Sequence, residues 1–155
     1  MAHRLHDAAA GGAAIPLNVY ADSSVLLRIV LGEPNPLPSW AEVDRLVSSE
    51  LSRLECLRVV DRARIRLGLP DADIAERRAD VLRLLEDVDL IAISGAILAR
   101  AAEPFPTLLG TLDAIHLASA LQARSAIDML AFATHDRALA LAAHAVGFSV
   151  EGVTG

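Results

Sequence analysis

Short aliphatic runs of β-strand character alternate along this chain with longer stretches whose apolar residues recur at helical spacing, and two of the aliphatic runs end in a carboxylate. The first is LNVYAD at 17–22 and the second is DMLAFATHD at 128–136. Strands separated by helices need crossover connections, so the chain is restricted to βαβ units built on a mostly parallel sheet. The expected fold class is α/β, a three-layer sandwich with a central, mostly parallel β-sheet flanked by helices. In such sheets, binding sites form beyond the carboxyl ends of the strands, where Asp22 and Asp136 both fall.

Local signals divide the rest of the chain. SSVLLRIVLGE has the apolar spacing of a helix, with Ser23 or Ser24 available as its cap. EPNPLPSW holds three prolines and forms an irregular link, and SWAE at 39–42 has capping-box spacing, which predicts a helical segment from Ser39. DRLVSSELSRLECLRVVDRARIRLG reads either as one long helix or as a short strand at RLVS followed by a helix capped by Ser48 or Ser49; the second reading is adopted. Gly68, Leu69 and Pro70 stop that helix, and Asp71 opens an amphipathic one. DLIAIS is a buried strand or an extended segment, after which Ser94 caps GAILARAA. TLDAIHLASA begins a buried helix that runs to about Arg124, DRALALAAHAVG is a last helix with a glycine stop, and FSVEGV is an edge strand.

At 155 residues and 54% hydrophobic content the chain suits one domain, read as residues 17–155 behind a loose leader at 1–16. His6, Asp7 and a glycine pair interrupt any signal-peptide core in that leader, and His3 and His6 lack a third metal ligand. Apolar runs such as LIAI stop far short of the roughly 18 residues that cross a bilayer. Cys56, the single cysteine, has no disulfide partner in the chain and reads as an inert core residue, which fits a cytoplasmic location. Aromatics make up 3% of the chain and the formal net charge is −6, so neither a base-stacking platform nor a general nucleic-acid coating protein is expected. All 14 basic residues are arginine, and lysine is absent.

Four acids are placed to meet. Asp22 and Asp136 close strands, Asp113 stands at the entrance of a helix, and Glu55 lies about two turns into its helix beside Leu51, Leu54 and Val59. Each has an ordinary explanation by itself: Asp22 as a turn or cap residue, Asp113 and Asp136 as helix caps, Glu55 as a snorkelling surface group. Glu50, near the same helix start, is accounted for by the helix dipole. Brought together, four carboxylates repel, and with no lysine in the chain the natural neutraliser is a divalent cation. Hard oxygen ligands without thiolates or paired histidines select Mg²⁺ or Mn²⁺, and the chemistry that follows is metal-assisted phosphodiester hydrolysis. Two rival α/β phosphate chemistries fail: the haloacid-dehalogenase type needs a second Asp where Ser24 stands, and receiver domains need a lysine. No P-loop or GxGxxG is present.

In order, VYADSSVLL, SSELSRLECLR, LDAIHLASA and FATHD resemble the four motifs of the PIN-domain ribonucleases, and in particular of VapC-type toxins from bacterial toxin–antitoxin pairs. The resemblance runs from about Leu17 to Val150. It implies a PIN fold, Mg²⁺-dependent cleavage of RNA with Mn²⁺ as a substitute, homodimerisation, and inhibition by a VapB-type antitoxin. The family's metal-binding, catalytic acids fall on Asp22, Glu55, Asp113 and Asp136, with Ser23 and Thr134 as supporting hydroxyls. His116 reads as a buried residue behind the acids rather than a general base, and His135 as structural. Arg58, Arg62 and Arg66 form one stripe on the helix of Glu55, either a solvated face or a contact for RNA phosphates or an acidic stretch of the antitoxin. The competing class is a catalytically inactive PIN-like module that binds a protein partner.

Overall fold

A computed structural model of the chain describes residues 14–33 and 40–152. The elements found there are β1 Leu17–Ala21, α1 Ser23–Val30, a 3-10 turn Trp40–Glu42, β2 Val43–Ser49, α2 Glu50–Leu67, α3 Asp71–Glu86, β3 Asp89–Ile91, α4 Gly95–Ala101, α5 Thr111–Arg124, β4 Leu130–Ala133, α6 Arg137–Ala145 and β5 Val150–Glu151. The strand-then-helix reading of residues 43–67 holds, as do the caps at Ser49 and Ser94. Gly68 stops α2 in the left-handed region at φ 60°, where a side chain is strained. Residues 1–13 of the expected leader, most of the proline link and Ser39 lie outside the described residues.

Two local expectations are corrected. Asp22, not Ser23 or Ser24, caps α1: its backbone is extended and its side chain accepts from the Val25 N–H. The segment after the proline link is a single 3-10 turn rather than a helix, because Val43 is already drawn into register with Leu17 of β1.

All strand pairs are parallel, in the order β3-β2-β1-β4-β5. The chain builds outward from β1 through β2 to β3, then crosses back to lay β4 and β5 on the other side. Strand order therefore reverses between β1 and β4, which opens a crevice at their carboxyl ends. Alternation along β1 sends Val19 and Ala21 into a core with α1, α2 and α3, through Val25, Leu26, Cys56, Val60 and Val81. Tyr20 faces the opposite core, where α5 and α6 contribute Leu117, Ala120, Leu139 and Ala142. Small alanines on these helices leave room for a stacked aromatic file, Tyr20 on Phe132 at 5.3 Å and Phe132 against Phe148 at 5.7 Å.

Candidate active site

The crevice between β1 and β4 is closed by a web of side chains. Asp22 follows β1 directly and is buried. Its Oδ1 accepts from Ser24 Oγ at 2.5 Å and from the Val25 N–H at 3.3 Å, and its Oδ2 accepts from Thr134 Oγ1 at 2.6 Å. Thr134, just past β4, also takes the Asp136 N–H on Oγ1 at 3.0 Å. Asp136 caps α6 by accepting the Leu139 N–H on Oδ1 at 2.9 Å. The His135 N–H donates to Ser24 Oγ at 3.1 Å, and His135 Nδ1 lies 2.8 Å from the Gly152 carbonyl oxygen.

Asp113 sits in the first turn of α5, where Gly110 holds the cap position and no side chain makes a cap bond. The capping explanation thus holds for Asp22 and Asp136 but not for Asp113. Burial pushes the Asp113 carboxyl above the usual aspartate range, and Asp136, Asp22 and Glu55 push it further, with His116 opposing. The other three candidate acids are therefore each within electrostatic range of Asp113.

Glu55 is not a snorkelling group: from α2 it reaches inward, and its Oε1 accepts from His116 Nε2 at 2.6 Å. His116 is buried on α5, as expected, and its Nδ1 lies 2.8 Å from the Tyr20 hydroxyl. Burial, then the charge of Asp22, holds the Tyr20 phenol well above its ordinary value. On the other side of the sheet end, Ser48 Oγ donates to the Ala21 carbonyl at 2.6 Å and shares a 2.7 Å bond with Ser52 Oγ. This ties α2 to the end of β1.

Sequence reasoning did not place Tyr20, Ser48 or Ser52 at this site. One signal was available, since Tyr20 is the single tyrosine of an aromatic-poor chain and stands two residues before the strand-end acid. The hydroxyl that reaches Asp22 from α1 belongs to Ser24 rather than to the expected Ser23. Arg58 pairs with Asp61 at 3.4 Å on the exposed side of α2, and Arg62 and Arg66 are exposed one and two turns further on. Among the described residues no group of three or more His, Cys, Asp or Glu side chains is arranged to hold a metal ion. The acids share Asp113 as an electrostatic neighbour and do not form a closed cage.

The family model of the PIN domain matches residues 19–145. The chain is a PIN-domain protein of the VapC type. It is 31% identical over 137 residues to Ribonuclease VapC47 of Mycobacterium tuberculosis, covering 84% of this chain and 93% of that one. It is 32% identical over 135 residues to Ribonuclease VapC46 of the same organism, covering 85% and 95%. In fold it is similar to the crystal structure of VapBC2 from Rickettsia felis bound to a DNA fragment from their promoter, with a TM-score of 0.61 at 10% identity over 86% of this chain and 97% of that one. The PIN match starts at Val19 in β1 and ends at Ala145 in α6, so it takes in Asp22, Glu55, Asp113 and Asp136.

Proposed function

We propose that this chain is an endoribonuclease that hydrolyses RNA phosphodiester bonds with the help of Mg²⁺ or Mn²⁺, and is the toxin of a type II toxin–antitoxin pair. The observation that carries the reading is Asp113, an acid in the first turn of α5 that makes no cap bond and whose proton affinity is raised by burial first and then by Asp136, Asp22 and Glu55, with His116 opposing. A divalent cation fits this donor set. The oxygens are hard, their charges are crowded, and Mg²⁺ keeps several waters while binding through one or two carboxylates, so an open cleft suits it better than a closed cage. Asp22, Glu55, Asp113 and Asp136 would hold the ion, which supplies positive charge to a phosphodiester under attack by water.

The protein's own contribution is placement. Ser24, Thr134 and the Val25 amide fix both oxygens of Asp22. The same Thr134 accepts the Asp136 N–H, so one hydroxyl links the two strand-end acids. Arg58, Arg62 and Arg66 offer a cationic track leading away from Glu55, open to RNA phosphates or to an acidic antitoxin segment. We assign residues 17–155 to one PIN domain. By extension from the VapBC2 complex, its partner is a VapB-type antitoxin; a homodimer is proposed from the family resemblance alone. No helix among the described residues is long and apolar enough to cross a membrane; action on cellular RNA places the protein in the cytoplasm.

The cap bonds of Asp22 and Asp136 favour a second reading, an inactive PIN-like binding module that retains its acids for structure. Asp113 separates the two, because it makes no cap bond. Asp113→Asn should abolish Mn²⁺-dependent cleavage of RNA with the circular dichroism spectrum unchanged, and Asp22→Asn should do the same. Cleavage at the wild-type rate by either variant refutes the nuclease assignment.

A further inference from the structure

We propose that His116 is a positioning residue: together with Tyr20 it forms a buried relay that orients the Glu55 carboxylate toward the acid cleft. The proposal rests on the reading of Glu55 as part of the metal site. His116 and Tyr20 are 1% and 0% exposed, so the relay is built into the core rather than laid on the surface. Tyr20 is held in β1 and stacks on Phe132 with an interplanar angle of 17°. Its ring meets His116 edge-on at 6.0 Å, and its hydroxyl lies 2.8 Å from Nδ1. From the opposite ring nitrogen, Nε2, the path continues 2.6 Å to Glu55 Oε1.

The chemistry of the ends fixes the direction of the bonds. A carboxylate oxygen only accepts, so Nε2 carries the ring proton and donates it to Glu55. When the ring is neutral, Nδ1 is then the acceptor, and the Tyr20 O–H donates to it. The hydrogen bond on one ring nitrogen thus selects the tautomer that serves the other. Glu55 would otherwise be a flexible side chain in the second turn of α2. The relay engages Oε1 and leaves Oε2 outside this bond. Outer partners of this kind hold a ligand in place, and their loss costs about 10- to 100-fold in metal affinity.

The test uses the full chain and Mn²⁺ alone. Long-range ¹H–¹⁵N spectra of the metal-free wild type should show the His116 proton on Nε2 and none on Nδ1, and Tyr20→Phe, which removes one oxygen from an otherwise unchanged core, should mix the tautomers. By calorimetry Tyr20→Phe and His116→Leu should bind Mn²⁺ about tenfold more weakly. His116→Gln, whose side-chain amide replaces the Nε2–H donor, should recover most of the loss; a merely space-filling histidine predicts no such recovery. A proton on Nδ1 in the wild type, or Mn²⁺ affinity unchanged in Tyr20→Phe, overturns the relay. Glu55→Gln separates the two levels: if it binds Mn²⁺ like the wild type, the metal-site reading itself fails, whereas weakened binding there beside normal binding in Tyr20→Phe sinks the relay alone.

Discussion

Cys56 responds first to its burial and then to the acids near it. The thiol is buried one residue beyond Glu55, and burial first, then the charges of Glu55 and Asp22, push its pKa up to about 12. In the native protein it should fail to react with a disulfide reagent at mildly alkaline pH, and one thiol should appear on unfolding in urea. A fast native reaction would mean that the core around α2 is open. Asp113 carries the opposite consequence, for stability. Its native pKa lies above the unfolded value, so the native state holds the proton more tightly. Stability of the metal-free protein should therefore fall as pH rises from the unfolded aspartate value through the native one, and level off above it. Asp113→Asn should flatten that slope and stabilise the metal-free protein at neutral pH, by less than about 1 kcal/mol because the group is only half-buried and solvent screens it. Urea melts of both proteins at mildly acidic and neutral pH measure this, and a steeper slope in the variant would contradict it.

At the scale of elements, α1, α2 and α6 are held at the site by short polar devices at their starts, Asp22, Ser49 and Asp136. α2 is the informative case, since it brings Glu55 to the site and Cys56 into the core. Its cap, Ser49, accepts the Leu51 N–H at 3.0 Å, while Ser48 and Ser52 bind the last carbonyl of β1 and each other. Ser49→Ala should cost about 1 kcal/mol in chemical denaturation. The same variant should exchange the amides of the first turn of α2 faster, with those of α5 unaffected. The serine pair made this boundary legible in the sequence, because a cap acts on residues two or three positions away. The start of α1 was misread for the same reason in reverse: Asp22, Ser23 and Ser24 are all good caps, and only the position of Thr134, 112 residues away, shows how Asp22 is oriented.

For the whole molecule, the controlling fact is that β1 is central and strand order reverses beside it. Two strand ends and the starts of α2 and α5 then converge, gathering negative charge that no lysine offsets. Binding a cation to the native state alone should stabilise it. Mn²⁺ at about 100 times its dissociation constant should add roughly 2.7 kcal/mol, a rise of roughly 5–10 °C in the melting temperature of a chain this size. That shift should vanish with chelator and shrink in Asp22→Asn. An equal melting temperature with and without Mn²⁺ would favour the binding-module reading.

The sequence by itself determined the alternation of strands and helices, the acids at the ends of β1 and β4, and the stops and caps at Gly68, Ser49 and Ser94, because periodicity and capping are set by residues within a turn or two of each other. The tertiary structure decided the strand order, the choice of Ser24 over Ser23, and the line from Tyr20 to His116 to Glu55, whose members are 96 and 61 residues apart. It also decided that the acids, among the described residues, do not form a closed cage. Those outcomes depend on which strands lie side by side and how far each helix reaches past the sheet, and a local pattern of apolar residues does not encode either.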